Sequence, residues 1–298
     1  MVNAMTVDVE DYFQVSAFDR VVHRDAWPGM ESRVVANTER LLQLFDEFDV
    51  RGTFFVLGWV AERHPSLVRR IVAQGHELAS HGYGHRLVYS QTPDEFRTDV
   101  RRAKRLLEDA GGVEVRGYRA PSFSVTSRSL WALDVLLEEQ YRYDASIFPI
   151  RHDRYGIPGA PRHSHVLHRT GGSLIEAPPS TIRLGATNLP VAGGGYFRLL
   201  PYRWTQLGIR RINRTERKPA IFYLHPWEID PAQPRLAAGA VSKFRHYWNL
   251  QKTEGRLRRL LGDFRFGPLG TLVDQVRDRA PAIEFVGSPV QAAAGEAK

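Results

Sequence analysis

The sequence of 298 residues contains no cysteine. That absence excludes disulfides, thiolate metal ligands and a cysteine nucleophile together, so a transition metal would have to be held by His, Asp or Glu. There is no run of eighteen apolar residues, so no segment reads as a membrane span. The amino terminus, Met1-Val2-Asn3-Ala4-Met5, lacks the charged and apolar regions of a signal peptide, which makes a cytoplasmic protein the expectation. No nucleic-acid-binding motif accompanies the net charge of +8. The arginines behind that charge, such as Arg101, Arg102, Arg105, Arg256, Arg258 and Arg259, fall on polar faces of predicted helices, so nucleic acid is not an expected partner. An amphipathic basic surface could still hold the protein at the inner membrane face, and nothing in the sequence speaks to oligomeric state.

What is present is organised around His76-Glu-Leu-Ala-Ser-His81-Gly-Tyr-Gly-His85. Two histidines four apart would share a helix face, but Gly82 and Gly84 argue against a helix interior, so the pair reads as a loop. His76 to Ser80 alternates as a short strand, which places His81 and His85 where that strand ends. Two neutral imidazoles joined by one carboxylate make a three-ligand site that keeps a position for water, as catalytic zinc does.

Around this stretch the chain alternates. Met5 to Glu10 reads as a strand ending in the acidic residues Asp8, Glu10 and Asp11; Glu31 to Phe48 keeps helical spacing; Gly52 to Gly58 reads as a buried strand. A helix over 66–74 precedes the histidine strand. Thr92-Pro-Asp-Glu95 has the cap, first-turn proline and third-position acid of a helix start, and Gly111-Gly112 ends that helix. Further strands are predicted at 117–121, 143–148, 173–177, 220–224 and 264–266, and helices at 127–139, 202–212, 243–261 and 269–276. Residues 149–172 read as a long loop, lid or substrate-binding in character, whose His163, His165 and His168 have no acidic residue close in sequence. Gly193 to Arg198 reads as a tight turn carrying Tyr196 and Phe197.

About seven strands alternating with helices predict an α/β fold, a distorted (β/α) barrel in one domain over residues 1–280. Its core spans 5–228, with a helical extension over 229–280 and a disordered tail over 281–298. In such barrels chemistry gathers at the carboxyl ends of the strands, and the polar candidates fall there: Asp8, Glu10 and Asp11, then His81 and His85, Arg119, Asp144 and His225. A metal on His81, His85 and a first-strand carboxylate, a second carboxylate as base, Arg119 beside it and His225 as acid would serve amide or ester hydrolysis. His225 then needs a carboxylate partner, for which Asp144 is the first candidate and Glu228 the fallback.

These residues resemble the polysaccharide deacetylase family of NodB type, carbohydrate esterases that remove acetyl groups from sugars. The resemblance runs through Thr6-Val-Asp-Val-Glu-Asp11, Ser80-His-Gly-Tyr-Gly-His85, Arg119-Ala-Pro121 and Leu224-His-Pro226. Leu224 to Pro231 together with Phe244 to Asn249 looks like the subgroup associated with exopolysaccharide loci and PEP-CTERM protein sorting. The resemblance implies Asp8 as catalytic base, His81 and His85 as ligands of zinc or another divalent ion, and Arg119 orienting the base. It also implies His225 as general acid and the Ser122 backbone N–H as oxyanion donor, with an N-acetylated polysaccharide or oligosaccharide as substrate. The family's adjacent aspartate pair is broken here by Val9, which leaves Glu10 or Asp11 as third ligand; alternation along a strand favours Glu10. The family's fourth motif, an aspartate with a tryptophan, has no clear match. Tyr83, Trp227, Tyr196 and Phe197 are candidate stacking surfaces for sugar rings. Two other readings use the same residues: metal-independent hydrolysis of a small non-sugar amide, and glycan binding without turnover.

Overall fold

A computed structural model of the chain describes residues 1–169, 171–277 and 282–284. In chain order the first half runs β1 (Val2–Val9), α1 (Val34–Glu47), β2 (Thr53–Val56), α2 (Gly58–Arg63), α3 (Pro65–Ala73), β3 (Glu77–Ser80), α4 (Pro93–Gly111), β4 (Gly117–Tyr118), α5 (Trp131–Glu138) and β5 (Tyr143–Asp144). The second half continues with β6 (His165–Arg169), β7 (Gly172–Glu176), the hairpin β8 (Thr181–Leu184) and β9 (Thr187–Pro190), α6 (Gly194–Leu199), α7 (Tyr202–Arg214) and β10 (Ile221–Leu224). It closes with α8 (Ala240–Tyr247), α9 (Leu250–Asp263), β11 (Arg265–Gly267), α10 (Leu269–Arg277) and β12 (Ala282–Glu284).

β1 to β5 lie side by side in order, each parallel to the last, followed by β7, while β10 and β11 flank the other side of β1. Buried on both faces, β1 is the kind of apolar strand a helix-covered parallel sheet demands. The sheet curls until its ends meet: the Ser180 N–H donates to the Ile221 carbonyl at 3.2 Å, and the Ile221 N–H to Ser180 Oγ at 2.7 Å. Among the described residues, β1 to β5, β7 and β10 therefore make the seven-stranded distorted barrel expected from the alternation. Helix α4 starts on the capping box of Thr92 and Glu95 and stops at Gly112, which adopts the left-handed conformation (φ 66°).

The structure departs from expectation in the second half. Within 149–172 the histidine-bearing stretch is β6, antiparallel to β7, and β12 then pairs beside it inside the predicted tail. The rest of 281–298 lies outside the described residues. Gly193 to Arg198 is no simple turn: Gly193 and Gly194, at φ 114° and 53°, let the backbone pass against the Tyr223 carbonyl and ring and lead into α6. The predicted helix over 243–261 is two helices, broken at left-handed Asn249. No helix among the described residues is long and apolar enough to cross a membrane.

Candidate metal and hydrolytic site

At the carboxyl end of β3 the chain leaves as His81-Gly-Tyr-Gly-His85, wrapped around the Asp99 carboxylate of α4. Asp99 accepts the N–H of Tyr83 at 2.7 Å and of Gly84 at 3.3 Å, and Gly82 (φ 74°) passes so close that a Cβ would lie 2.8 Å from it. Arg24 ties down the carbonyls of Gly84 and His85 at 2.7 and 2.9 Å. Held this way, His85 accepts a left-handed backbone (φ 50°), the kind of local strain that well-tied functional loops carry. The same loop points Tyr83 outward, onto α2 and α4, with its hydroxyl on Glu62 and Arg102 over its ring. Tyr83 thus does not face the site, contrary to its expected stacking role.

The first strand supplies the acids. Glu10 Oε2 lies 2.6 Å from His85 Nε2 and 3.9 Å from His81 Nε2, and these three buried side chains form the group that could hold a metal ion. Outer contacts orient them. His81 Nδ1 meets the Arg119 carbonyl at 2.8 Å; a carbonyl only accepts, so the proton sits on Nδ1 and Nε2 offers its lone pair. Glu10 Oε1 accepts the Trp227 indole N–H at 3.1 Å, while buried Oε2 has no donor beyond the ring nitrogens of His85 and His81, the arrangement that a cation among the three satisfies. Burial pulls the His81 imidazole down to about 4, so it is neutral. Burial alone would raise the Glu10 carboxyl, but His85, then His225 and His81, prevail and hold it well below the usual carboxylate range.

Asp11 is elsewhere. Its carboxylate accepts from Ser32 Oγ and from the N–H groups of Tyr12, Arg33 and Val34, so it caps the amino end of α1 and is not a ligand candidate.

Asp8 and Arg119 form the second half of the site. Arg119 is wholly buried; its Nη1 donates to Asp8 Oδ1 at 2.6 Å and to Thr6 Oγ1 at 2.8 Å, its Nε to the Ala145 carbonyl, and its guanidinium lies over the Phe55 ring. His225 Nε2 stands 3.8 Å from Asp8 Oδ2 and 3.7 Å from Glu10 Oε1. Its side chain is 17% exposed where those of Asp8 and Glu10 are 2% exposed, so the group opens to solvent on the His225 side.

The partner of His225 is Glu228, not Asp144. Glu228 Oε1 is 2.5 Å from His225 Nδ1 and its Oε2 accepts from Arg198 Nε at 3.0 Å, in the turn Pro226–Ile229 that follows β10. Burial would lower the His225 pKa, but the Glu228 hydrogen bond and the charges of Glu10, Glu228 and Asp8 raise it to about 9. Asp144 is one strand removed: it hydrogen-bonds Ser146 and, in β5, sits opposite Glu176 of β7. Trp227 is likewise not an open platform, because its ring stacks between His225 and His246 with centroids 5.1 and 4.1 Å away. Phe197 is buried against Phe222. Tyr196 is half-buried, its hydroxyl 3.4 Å from that of Tyr155 in a cluster with Phe123, Phe148 and Tyr223, whose ring lies 5.9 Å from that of His225. Ser122 follows Pro121 in the left-handed region (φ 51°), as does Phe123, with the Ser122 hydroxyl 2.8 Å from that of Ser16. His163 pairs with Glu216, His168 with Ser173, and His165 is buried; none of the three approaches this site.

Sequence reasoning missed Asp99, Arg198 and Trp227 as supports. Only Glu228, at i+3 from His225, carried a spacing signal.

Residues 19–137 match the family model for polysaccharide deacetylase, and residues 145–274 match a domain of unknown function, DUF3473. Over residues 19–137 the chain is thus similar to the polysaccharide deacetylase family. That span holds His81, His85 and Arg119; the second match holds Arg198, His225 and Glu228, including the segments behind the subgroup resemblance. A chitooligosaccharide deacetylase of Sinorhizobium fredii is 36% identical over 100 residues, which are 33% of this chain and 44% of that protein. A peptidoglycan-N-acetylglucosamine deacetylase of Bacillus cereus is 30% identical over 98 residues, 33% of this chain and 36% of that one. The chain thus aligns with less than half the length of these relatives. In three dimensions it is similar to a putative polysaccharide deacetylase from Mycobacterium smegmatis, at 21% identity and a TM-score of 0.64 over 94% of this chain and 91% of that one. The Puue allantoinase follows at 14% identity and a TM-score of 0.62 over 93% and 90%. At these identities the likeness concerns the fold, which is that of the deacetylase barrel.

Proposed function

We propose that the protein is a metal-dependent hydrolase that removes acetyl groups from the N-acetylated sugars of a polysaccharide or its precursor. The observation that carries this reading is the position of Asp8 between Arg119 and His225, beside the buried trio of Glu10, His81 and His85. Two imidazoles and a carboxylate, with no thiolate, fit zinc or another divalent ion, and such an ion supplies Lewis acidity toward a water molecule and an amide carbonyl.

The remaining steps belong to the chain's own side chains. Asp8, held by Arg119, takes the proton of the attacking water. The Ser122 N–H faces the oxygen of the acetyl carbonyl as charge builds on it. As the carbon–nitrogen bond breaks, protonated His225 delivers its proton to the departing sugar nitrogen, leaving acetate and a free amine. Tyr155 and Tyr196, half-buried in the cluster that reaches His225 through Tyr223, take the sugar-facing role in place of Tyr83 and Trp227. Support for the substrate class comes from the family match and from the deacetylase relatives, and the complete ligand trio speaks against the metal-independent reading.

The test is acetate release from N-acetylglucosamine oligomers by chelator-stripped protein, before and after zinc is added back, with Asp8→Asn in parallel. Zinc-restored release absent from the variant supports the reading; purified protein that carries no metal and gains no activity from any divalent ion refutes it.

A further inference from the structure

We infer that the outer face of α8 is a docking surface for an anionic lipid bilayer. The helix presents two faces. Its inner face holds His246, stacked on Trp227 and hence in line with His225, and Arg198 clamps its end by donating to the carbonyls of Arg245, His246 and Trp248 at 2.9, 2.7 and 3.3 Å. Its outer face carries Val241, Phe244 and Trp248 at 65, 52 and 46% exposure, three large apolar side chains spaced three and four apart. The rings of Phe244 and Trp248 lie 4.9 Å from one another, in an open depression that Arg235, Lys243 and Tyr247 complete.

Charge selects the occupant. On α4 three of the four arginines are neutralised, Arg97, Arg101 and Arg102 by Glu138, Glu139 and Glu62. Around α8, by contrast, Arg235, Lys243 and Arg245 have no carboxylate partner among the described residues, and Arg235 lies instead over the Tyr247 ring. An exposed apolar and aromatic stripe flanked by unpaired cations is complementary to anionic headgroups above an acyl boundary. A sugar-stacking platform would pair its rings with free hydrogen-bonding side chains; here the Tyr247 hydroxyl is taken up by the backbone of Leu236 and Pro234, and the other neighbours are Val241 and the cations. Because α8 is tied through His246 and Trp227 to His225, docking would hold the site one helix thickness from the membrane surface. The inference does not depend on turnover.

Flotation of the full chain with vesicles of phosphatidylcholine, with and without phosphatidylglycerol, tests this. Binding is expected only with phosphatidylglycerol and is expected to fall as salt screens it. Brominated acyl chains should quench Trp fluorescence in the wild type and much less in Trp248→Phe. Lys243→Glu with Arg245→Glu should lower partitioning at least ten-fold, at roughly five-fold per cation lost, with circular dichroism unchanged. Wild-type protein that stays with the buffer, or variants that float as it does, overturn the proposal. So does Trp248 emission that responds to N-acetylglucosamine hexamer and not to vesicles, which would assign the face to glycan.

Discussion

Nδ1 of His225 lies 2.5 Å from Oε1 of Glu228, three residues further along the same turn. The contact makes the imidazole a cation at neutral pH, since its pKa reaches about 9 despite burial. As general acid it works only while protonated, so activity should be sustained to alkaline pH and decline as pH passes about 9. Glu228→Gln removes the strongest support and leaves burial opposed only by Asp8 and Glu10. Its alkaline limb should move down by about one unit or more, with kcat falling further than KM rises. A pH–rate profile identical to the wild type would exclude Glu228 from this role.

Glu10 and Asp11 are neighbours with opposite fates, which separates a ligand from a cap. Glu10→Gln should lower metal content well below one equivalent and abolish the thermal shift on adding zinc, which for saturating metal at ~100 times Kd is worth about 2.7 kcal/mol. Asp11→Ala should keep metal content but lose stability by about 1–2 kcal/mol, because three donors at the start of α1 and the Tyr12 N–H lose their acceptor. Metal analysis and chemical denaturation decide the matter; metal loss in the Asp11 variant alone would reverse the assignment.

This pair also shows where the sequence was legible. The glycines between His81 and His85 marked a loop at a strand end, as found, and Asp8 and Glu10 do point to one place, both reaching His225, although Glu10 lies one residue beyond β1. The Thr92–Glu95 cap and the β-α alternation through β5 also hold. What failed was everything that depends on which layer a side chain enters. Tyr83 and Trp227 sit next to site residues in sequence, yet one turns out onto α4 and the other locks under His246. Asp144 lies at a strand end, but its partner is the cross-strand neighbour Glu176, a pairing set by register between β5 and β7. Arg198, over twenty residues upstream of His225, carried no local signal at all.

Arg119 tests whether charge or shape orients the base. Its Nη1 serves Asp8 and Thr6 at once while Nε holds the Ala145 carbonyl, a fork that a lysine ammonium cannot reproduce. Arg119→Lys should fold less stably and lose about 10²-fold or more in kcat, while Asp8→Asn should lose 10²–10⁴-fold at full metal content. Steady-state kinetics beside metal analysis read both. Retained activity in Asp8→Asn would leave the base to another residue.

The Asp144 and Glu176 pair supplies a pH signature of stability that is independent of catalysis. The two carboxyls face each other in the core with one oxygen each lacking a donor, and the pKa of both is raised: Asp144 by burial, Glu176 by burial and then by Asp144. The pair therefore keeps a proton that the unfolded chain releases near pH 4. A carboxyl whose folded pKa is raised stabilises below the unfolded value, and that contribution is lost as pH rises toward the folded one. Stability should thus fall on the alkaline side of about pH 4, by up to ~1.4 kcal/mol per pH unit while the folded state holds one extra proton. Glu176→Gln keeps the shape, and its amide N–H₂ can donate to Asp144 with no proton at stake, while its carbonyl still accepts the Ile147 N–H. The variant should show a flatter dependence of melting temperature on pH and gain on the wild type as pH rises. Parallel curves for the two proteins across the neutral range would mean that the pair holds no shared proton.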